Sequence, residues 1–350
     1  MEAPAEFVVL SGFLGSGKTT LLGDLLAVVD DGRTAVIVND VGQVNIDGAL
    51  IAVTAGVPMA TLSNGCVCCS LTNDLQYTIE AMLETRRLSG APGFRRMILE
   101  CSGLSEPGAV LRSLSELAHL RMRVRVVTTY ACDRPLSDQE EFGLAAAQLA
   151  SAHVIVLTRM DVADSQQIVQ ATALVRALGA MATLVAERDP HVRAQRAFDE
   201  AESGEATLPG SPAAFLAEGP VGHPRINVYA LQWNSPVAWP LLAAWLENLA
   251  GYLEDRLLRV KGLVVVEGCE ELLLIQGVGQ HFDTPRRIGA DDPSTGSMGG
   301  RPSNLIVIAR DTEMTEIRDI GPAPPMPCRL SMIRSPGAGS ARVRLARLQE

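Results

Sequence analysis

Residues 12–20 read Gly-Phe-Leu-Gly-Ser-Gly-Lys-Thr-Thr, which is a complete phosphate-binding loop of the pattern G-x-x-x-x-G-K-T. An apolar run at residues 7–10 precedes this loop, and a helical pattern begins at residue 20. Glycines let the backbone wrap an anion, because positive φ angles and close approach cost them little. Backbone amides and the N-terminus of the following helix then face the phosphates. The sequence therefore predicts a strand, a nucleotide-binding loop and a helix.

The side chains of this loop have expected roles. Lys18 would contact the β- and γ-phosphates, and the Thr19 hydroxyl would bind Mg²⁺. The chain has only two lysines among its 30 basic residues, and one of them stands where the loop needs a compact ammonium group. The residues expected to bind the phosphates are Gly12, Gly15, Ser16, Gly17, Lys18, Thr19 and Thr20.

Composition sets the class of protein. With 350 residues, of which 47% are hydrophobic, the chain can form one large domain or two ordinary domains. The net charge of −10 argues against nucleic acid as the main partner. The N-terminus lacks a signal-peptide pattern, and no apolar stretch reaches the roughly 18 residues of a membrane span. Three of the seven cysteines fall within four positions, which favours a reducing compartment. We therefore expect a cytoplasmic protein with no membrane partner.

Residues 1–188 alternate apolar strands with helical patterns, as in a doubly wound α/β fold with a mostly parallel sheet. In that architecture the functional groups lie at the carboxyl ends of the strands. The predicted strands are 6–10, 34–39, 96–101, 124–129, 153–158 and 183–185. The predicted helices are 18–28, 72–88, 109–118, 137–150 and 165–178.

The rest of the chain divides into three further parts. Residues 189–224 are rich in Gly, Pro, Ala and Glu and are expected to form a linker with short helices. Residues 225–320 predict a smaller α+β domain, in which one helix packs on a mostly antiparallel sheet. Within it, residues 283–302 are expected to form a mobile loop. Residues 321–350 are expected to form a flexible tail.

Cys66, Cys68 and Cys69 supply three thiols within four residues. Thiolates bind soft metal ions such as Zn²⁺ and Cu⁺. C-x-C-C cannot close a four-ligand tetrahedral site alone, so a fourth ligand must come from elsewhere in the chain, from solvent or from a partner. Such an open site suits metal transfer better than permanent structural storage. The alternative is a group of buried or redox-active cysteines beside a turn.

Two acidic residues follow predicted strands and would lie beside the phosphates. Asp40 could hold Mg²⁺ or a second metal, or it could be a solvated turn residue. Glu100 ends an apolar strand, where a carboxylate can bind a Mg²⁺-coordinated water or orient the attacking water. We expect Lys18, Asp40 and Glu100 to take part in catalysis, and Thr19, Asp40 and Glu100 to bind metal. Gly103 could lend a backbone amide to the γ-phosphate and so sense hydrolysis.

Residues 158–161, Thr-Arg-Met-Asp, follow the fifth predicted strand. Asp161 is placed to accept hydrogen bonds from N1 and the exocyclic amine of guanine, a pattern that adenine cannot satisfy. Arg159 could stack on the plane of the base. The alternative is a strand-to-helix turn that ends in a capping Asp. The guanine pattern predicts GTP as the nucleotide.

Together these segments resemble the CobW family of P-loop GTPases. The segments that carry the resemblance are G-S-G-K-T-T, N-D-V-G-Q-V-N-I-D-G, N-G-C-V-C-C-S-L, E-C-S-G-L-S-E-P and T-R-M-D. The family's C-terminal domain is similar to the region from residue 225 to residue 308. The phosphate loop is common to many nucleotide enzymes, but its combination with C-x-C-C and E-x-S-G-L-x-x-P is highly specific.

The resemblance implies a P-loop NTPase fold of the SIMIBI type and a GTP-dependent metallochaperone with weak intrinsic hydrolysis. It places Asp40 and Glu100 at the Mg²⁺ and switch regions. It also implies that the three cysteines of the C-x-C-C motif bind a cargo metal, with Zn²⁺ or Co²⁺ expected.

Three features depart from the family pattern. The family usually has N-K-x-D, where this chain has Thr158 and Arg159 in place of Asn and Lys, so its discrimination against ATP would be weaker. The family usually has N-E-F-G-E after the second strand, where Asp40 shortens the first acid and Gln43 removes the second charge. The His-rich insertion of many members is missing, which argues against metal storage.

The sequence therefore predicts a GTP-hydrolysing metallochaperone that delivers metal to a client metalloprotein, with a homodimer as the assembly to test. An alternative is a nucleotide-dependent metal sensor or scaffold that hardly turns GTP over and regulates a metalloenzyme. A small-molecule kinase is disfavoured, because the sequence offers no clear acceptor-site signature and C-x-C-C would then have no role.

Overall fold

The computed structural model describes residues 6–29, 32–39, 57–62, 71–105, 108, 110–111, 120, 122–134, 139–179, 181–199, 225–288, 303–321, 329–333 and 346–347. Its Cα positions group into two compact units. The first comprises Met1–Val175 and Ala182–Gly204, and the second comprises Arg176–Met181 and Glu205–Glu350.

The first unit contains a parallel sheet with helices on both of its faces. Its strands are β1 (Glu6–Gly12), β2 (Thr34–Asn39), β3 (Met59–Leu62), β4 (Arg96–Glu100), β5 (Arg123–Ala131), β6 (Val154–Thr158) and β7 (Thr183–Val185). Its helices are α1 (Lys18–Leu26), α2 (Leu71–Leu88), α3 (Gln139–Ser151), α4 (Ser165–Leu178) and α5 (Pro190–Phe198). Among the described residues, the seven strands run in the order β3-β2-β4-β1-β5-β6-β7, and every pairing between them is parallel. The expected doubly wound α/β fold is confirmed.

The central strands are buried along their whole length, which explains their continuous apolar sequences. All seven residues of β1 and all five residues of β4 are buried. Strands covered on both faces need no polar alternation, so the period-2 signal is absent from them. On one face the core combines Leu21, Leu22 and Leu25 of α1 with apolar side chains of the sheet and of α5.

One strand of this unit was not predicted from the sequence, and one helix was expected only without bounds. Strand β3 pairs with β2 at one edge of the sheet, and only Leu62 of its four residues is buried, so its apolar pattern is weak. Helix α5 is a short helix within the region that was expected to form a linker with short helices, but its bounds were not predicted. It begins with Asp189, whose side chain accepts a hydrogen bond from the Val192 amide at 2.8 Å, followed by Pro190 at its first turn. That Asp-Pro pair is a helix start signal.

A buried ion cluster ties the end of α5 to the sheet. The Glu6 carboxylate, 3% exposed, pairs with Arg96 at 2.9 Å and with Arg125 at 2.9 Å. These arginines also donate to the carbonyls of Phe198 and Asp199 at 2.5 and 2.6 Å. Because a buried charge is tolerated only when it is paired and hydrogen-bonded, the cluster fixes the point where the chain leaves α5.

The second unit is an antiparallel sheet covered by one long helix. Its strands are β8 (Ile226–Trp233), β9 (Leu257–Val264), β10 (Leu272–Val278), β11 (His281–Phe282), β12 (Arg286–Ile288), β13 (Ser303–Arg310), β14 (Arg329–Ile333) and β15 (Ala346–Arg347). Its helices are α6 (Trp239–Leu253) and α7 (Met314–Asp319). The strand order is β11-β10-β9-β13-β8-β14-β15, with β12 beside β10. Trp245 and Leu249 of α6 pack into the core on one face of this sheet.

Two expectations for this unit need correction. Part of the expected mobile loop is ordered, because Arg286–Ile288 pairs with β10 as the strand β12. Part of the expected flexible tail is also ordered, since Arg329–Ile333 pairs antiparallel with β8. That pairing satisfies backbone groups on the otherwise open edge of β8, which is the physical reason for a strand there.

The helix expected at residues 109–118 lies largely outside the described residues. Among the helices that the structure describes, none is long and apolar enough to cross a membrane.

Candidate nucleotide-binding site

The candidate site lies at the carboxyl edge of the parallel sheet. The phosphate-binding loop follows β1, and Glu100 is the last residue of β4, which pairs with β1. Asp133 and Arg134 follow β5, and residues 158–161 follow β6. Because all these strands are parallel, their ends meet at one edge, which is where open α/β sheets bind ligands.

The backbone of the phosphate-binding loop has the conformation that its glycines permit. Gly15 and Gly17 have φ angles of 70° and 88°, in the left-handed region that residues with a Cβ rarely adopt. Lys18 begins α1, is 8% exposed, and its Nζ donates to the carbonyls of Gly12 at 2.8 Å and Phe13 at 3.1 Å. The loop therefore folds around its own ammonium group.

Thr129 and Thr158 connect the phosphate-binding loop to strands β5 and β6 through hydrogen bonds. The hydroxyls of Ser16 and Thr129 are hydrogen-bonded at 2.7 Å. Thr158 Oγ1 donates to the Ser16 carbonyl at 2.7 Å. Thr158 stands where the family pattern has Asn, and its hydroxyl here anchors the loop. Thr20, also expected to bind phosphate, is exposed on the first turn of α1.

Thr19 and Glu100 meet at the mouth of the loop. Thr19 Oγ1 donates to Glu100 Oε1 at 2.5 Å, across 81 residues of sequence. Glu100 is 4% exposed, and its Oε2 is buried with no hydrogen-bond partner among the described residues. Burial raises the pKa of Glu100, and the Thr19 hydroxyl and the Lys18 charge oppose that rise.

This pair of oxygen donors fits Mg²⁺. A hydroxyl and a carboxylate are the hard ligands that Mg²⁺ prefers, and the partnerless Glu100 Oε2 is available to a cation or its water. A bound cation would also compensate a carboxylate that burial otherwise destabilises in its charged form.

Two opposing effects act on the charge of Lys18. Burial lowers the pKa of Lys18, while Glu100 acts in the opposite direction and favours the ammonium form. Cys101, the next residue after Glu100, is buried, and burial raises the pKa of its thiol to about 12. That thiol therefore stays protonated near neutral pH and is a poor metal ligand.

Gly103 lies directly against the phosphate-binding loop. A Cβ on Gly103 would come within 2.6 Å of the backbone nitrogen of Leu14, so only glycine allows this approach. The predicted γ-phosphate sensor and the phosphate-binding loop are thus in contact.

The residues after β6 form a turn with a fixed guanidinium. Arg159, with a φ of 54°, donates to both carboxylate oxygens of Asp133 at 2.6 and 2.7 Å. This pairing lowers the pKa of Asp133. A guanidinium can pair through its edge and still stack through its face, so the stacking role predicted for Arg159 is compatible with the pair. Asp161 is exposed in the same turn, and its guanine contact stays a prediction.

Several predicted metal ligands lie outside the described residues. These are Asp40 and the three cysteines, Cys66, Cys68 and Cys69. Where the structure does describe the chain, no group of three or more His, Cys, Asp or Glu residues could hold a metal ion. The strands that precede these ligands in sequence are described. Asn39 of β2 pairs with Leu62 of β3, and Val38 of β2 pairs with Glu100 of β4. Asp40 therefore follows a strand that neighbours the strand of Glu100, and the cysteines follow the next strand beyond it.

The sequence prediction missed five residues of this site. Thr129 and Asp133 follow from the same rule that identified Glu100, since both lie near the carboxyl end of a strand. The guanidinium of Arg134 lies against the phosphate-binding loop, in contact with the position that a Cβ on Gly15 would take. Thr158 was noted only as a departure from the family pattern. Gln148 lies in the last turn of α3, and no local pattern distinguishes it.

Comparison with known proteins gives a consistent family match. Residues 6–186 match the family described as "CobW/HypB/UreG, nucleotide-binding domain", and residues 226–320 match "Cobalamin synthesis protein cobW C-terminal domain". The chain is 30% identical to "Zinc chaperone YjiA" of Escherichia coli (strain K12), over 83% of this chain and 92% of that protein. It is 26% identical to "Zinc chaperone CobW" of Pseudomonas aeruginosa, over 90% of each chain. The crystal structure of Zn(II)-bound YjiA GTPase from E. coli is similar to this chain, with a TM-score of 0.60 at 22% identity. The match covers 90% of this chain and 97% of that one. It supports the fold.

Proposed function

This chain belongs to the CobW/HypB/UreG family, and we propose that it is a GTP-hydrolysing metallochaperone that carries a transition metal to a client protein. The observation that carries the proposal is the hydrogen bond between Thr19 and the buried Glu100 at the mouth of the phosphate-binding loop. It joins the helix that follows the loop to the strand that carries the predicted switch segment.

In the proposed reaction, water attacks the γ-phosphorus, the bond to the bridging oxygen breaks, and GDP and inorganic phosphate leave. Lys18 stabilises charge on the β- and γ-phosphate oxygens, and Glu100 orients the attacking water. Thr19, Glu100 and Asp40 would hold Mg²⁺, which when bound neutralises charge on the phosphate oxygens. The amide of Gly103 is the candidate contact to the γ-phosphate.

Guanine recognition is assigned to the turn after β6. Asp161 accepts from the base, and Arg159, held by Asp133, offers its face for stacking. Thr158 and Arg159 stand where the family pattern has Asn and Lys, and the Thr158 hydroxyl donates to the phosphate-binding loop. We therefore expect a preference for GTP over ATP that is real but incomplete.

The cargo metal is assigned to Cys66, Cys68 and Cys69, with Zn²⁺ preferred and Co²⁺ as the alternative. The support is that thiolates select such ions, and that the relatives with the names above are zinc chaperones. Three thiolates leave one tetrahedral position for another ligand, so the ion can pass to a client without first being released to solvent.

Nucleotide state and metal affinity are coupled in this proposal. The segment of Asp40 follows Asn39 of β2, which neighbours the strand that ends in Glu100, and the segment of the cysteines follows Leu62 of β3, on the other side of β2. A γ-phosphate that orders these segments would hold the thiolates differently in the GTP and GDP states. A 100-fold change in metal affinity requires a difference of only about 2.7 kcal/mol.

The partners follow from this role. We propose a client metalloprotein as the acceptor and place the protein in the cytoplasm, where GTP is available and thiols stay reduced. The net charge of −10 supports a partner other than nucleic acid. A homodimer remains the assembly to test.

The decisive experiment is metal titration of the reduced full-length protein with Mg²⁺–GTPγS, with Mg²⁺–GDP and without nucleotide. Co²⁺ absorption is the optical probe and Zn²⁺ is the competitor. We expect tight binding that changes at least about tenfold between nucleotide states and that is lost when Cys66, Cys68 and Cys69 are all changed to Ser. Cys269→Ser, at a half-buried thiol of the second unit, is the matched control and should bind normally.

Two results would contradict the proposal. Metal binding that persists without the three cysteines would move the cargo site elsewhere. Turnover that stays negligible with metal present, together with nucleotide-dependent metal binding, would instead support the low-turnover sensor or scaffold.

A further inference from the structure

Gln148 connects helix α3 to the loop that follows β4. Its side-chain Nε2 donates to the carbonyl of Gly103 at 3.1 Å and to the carbonyl of Ser105 at 2.9 Å. Gln148 is 1% exposed, so these hydrogen bonds are shielded from water. One amide group thereby holds both sides of Leu104, whose side chain is exposed.

The fold holds Gln148 itself in place. Its main-chain carbonyl accepts a hydrogen bond from Thr128 Oγ1 of β5 at 3.2 Å. Its side-chain Oε1 is buried and has no hydrogen-bond partner among the described residues. A primary amide has two N–H donors, and both donors of Gln148 are directed at the loop. Burial of its Oε1 without a hydrogen-bond partner lowers the stability of the folded protein.

The same loop also contacts the phosphate-binding loop, because Gly103 packs on the backbone of Leu14. A cavity of about 380 Å³ lies between the phosphate-binding loop, β5 and α3, and Leu14, Thr128 and Gln148 all line it. Because the cavity borders Gln148, close packing does not surround this side chain completely, and its two hydrogen bonds are the direct link between α3 and the loop.

We propose that Gln148 is a positioning residue for GTP hydrolysis: it holds Gly103 where the Gly103 amide can meet the γ-phosphate. This inference rests on the proposed GTPase function. It predicts that Gln148 affects the nucleotide triphosphate state selectively, because GDP has no γ-phosphate for that amide to contact.

The test compares Gln148→Glu and Gln148→Leu with the wild-type protein. Both variants remove the paired N–H donors. We expect kcat for GTP to fall about 10- to 100-fold, the size of effect that misplacement of a catalytic contact produces. We also expect affinity for GTPγS to fall by more than affinity for GDP, so that the ratio of the two dissociation constants changes.

The glutamate variant adds a pH signature. Its introduced carboxyl would face two carbonyl oxygens in a buried site, with Glu141 and Arg134 lining the same cavity. Burial beside these acceptors raises a carboxyl pKa, and only the protonated form can donate. We therefore expect kcat of Gln148→Glu, relative to wild type, to recover as the pH is lowered, whereas Gln148→Leu shows no such recovery.

Two further variants keep the test interpretable. Gly103→Ala displaces the same loop from the Leu14 side and should change the GTPγS-to-GDP ratio in the same direction, even if a Gln148 variant folds poorly. Gln170→Leu, at an exposed glutamine of α4, should leave kcat and the ratio unchanged.

Equal weakening of GTPγS and GDP, with a lowered melting temperature and no pH recovery, would show a purely structural role and overturn the inference. A wild-type protein that binds GDP but never hydrolyses GTP would instead overturn the proposed function.

Discussion

The chain's two lysines lie one in each unit, and both are buried, yet their surroundings are opposite. Lys18 is 8% exposed and lies near the carboxylate of Glu100, while its Nζ donates to two loop carbonyls. Lys261 of β9 is 3% exposed, and its charged neighbours include Arg259 and Arg286. Burial lowers the pKa of both, but Glu100 opposes the effect at Lys18, whereas the two arginines add to it at Lys261 and bring its pKa to about 7.

The difference shows how one residue type serves two purposes. A lysine that must bind phosphate has to remain charged at neutral pH, and a carboxylate beside it secures that charge. A lysine that titrates near neutral pH makes the stability of its surroundings depend on pH. The five predictions below test this contrast, from the largest expected effect to the smallest.

Exchange of each lysine for methionine separates catalysis from folding. Lys18→Met should reduce kcat for GTP by about 100- to 1,000-fold, because it removes the ammonium that faces the developing phosphate charge. Lys261→Met, in the other unit, should leave kcat unchanged. Phosphate release from GTP, measured at saturating nucleotide and Mg²⁺, gives both values. Comparable losses in the two variants would abolish the distinction drawn here.

Removal of the carboxylate should make Lys18 resemble Lys261. In Glu100→Gln the amide oxygen can still accept from Thr19, but the counter-charge is lost, so the pKa of Lys18 should fall further. We expect kcat to drop about 100-fold. NMR with lysine labelled at Cε would report the pKa directly, since the chain gives only two signals.

The same variant also reports how Glu100 contributes to the pH dependence of stability without nucleotide. The folded-state pKa of Glu100 is raised, so the folded protein binds a proton more tightly than the unfolded chain. Its contribution to stability is therefore present at low pH and is lost as the pH rises through the raised pKa. Glu100→Gln should remove that pH-dependent loss, so its melting temperature should change less than that of wild type as the pH rises through the acidic range. An equal change in both proteins would contradict this.

Lys261 should give stability the opposite pH dependence. Its folded pKa of about 7 lies below the ordinary value of 10.5, so the unfolded chain binds the proton more tightly between these values. Stability should therefore rise as the pH increases from about 7, by roughly 1–2 kcal/mol up to pH 9. Urea unfolding of wild type and Lys261→Met at several pH values measures the effect, and parallel profiles for the two proteins would exclude it.

A carboxylate beside Lys261 should make it resemble Lys18. Arg286 is exposed on β12, so Arg286→Glu replaces a repulsive charge with an attractive one. Because water and salt screen an exposed charge, we expect the pKa of Lys261 to rise by only about half a unit. The labelled lysine signal gives the value, and Arg287→Glu, next to it on the same strand, is the control.

Local patterns explain which features were predictable. The phosphate-binding loop, its strand and its helix are encoded within residues 6–26, where neighbours in sequence are neighbours in space. Glu100 and Asp161 were found because strand ends can be read from apolar runs. Strand β3 was not found, because only one of its residues is buried. Helix α5 was expected only as a short helix without bounds, because its start signal lies in a stretch that reads as a linker.

The sequence alone determined that this protein binds a nucleotide phosphate, because a nine-residue motif carries all the backbone geometry that this needs. The tertiary structure decided how the site is assembled: Thr19 on Glu100, Arg159 on Asp133, and Gln148 on Gly103. These partners lie 81, 26 and 45 residues apart. Which of them meet depends on the order of strands in the sheet, and that order is fixed by burial of whole strands and not by any local pattern.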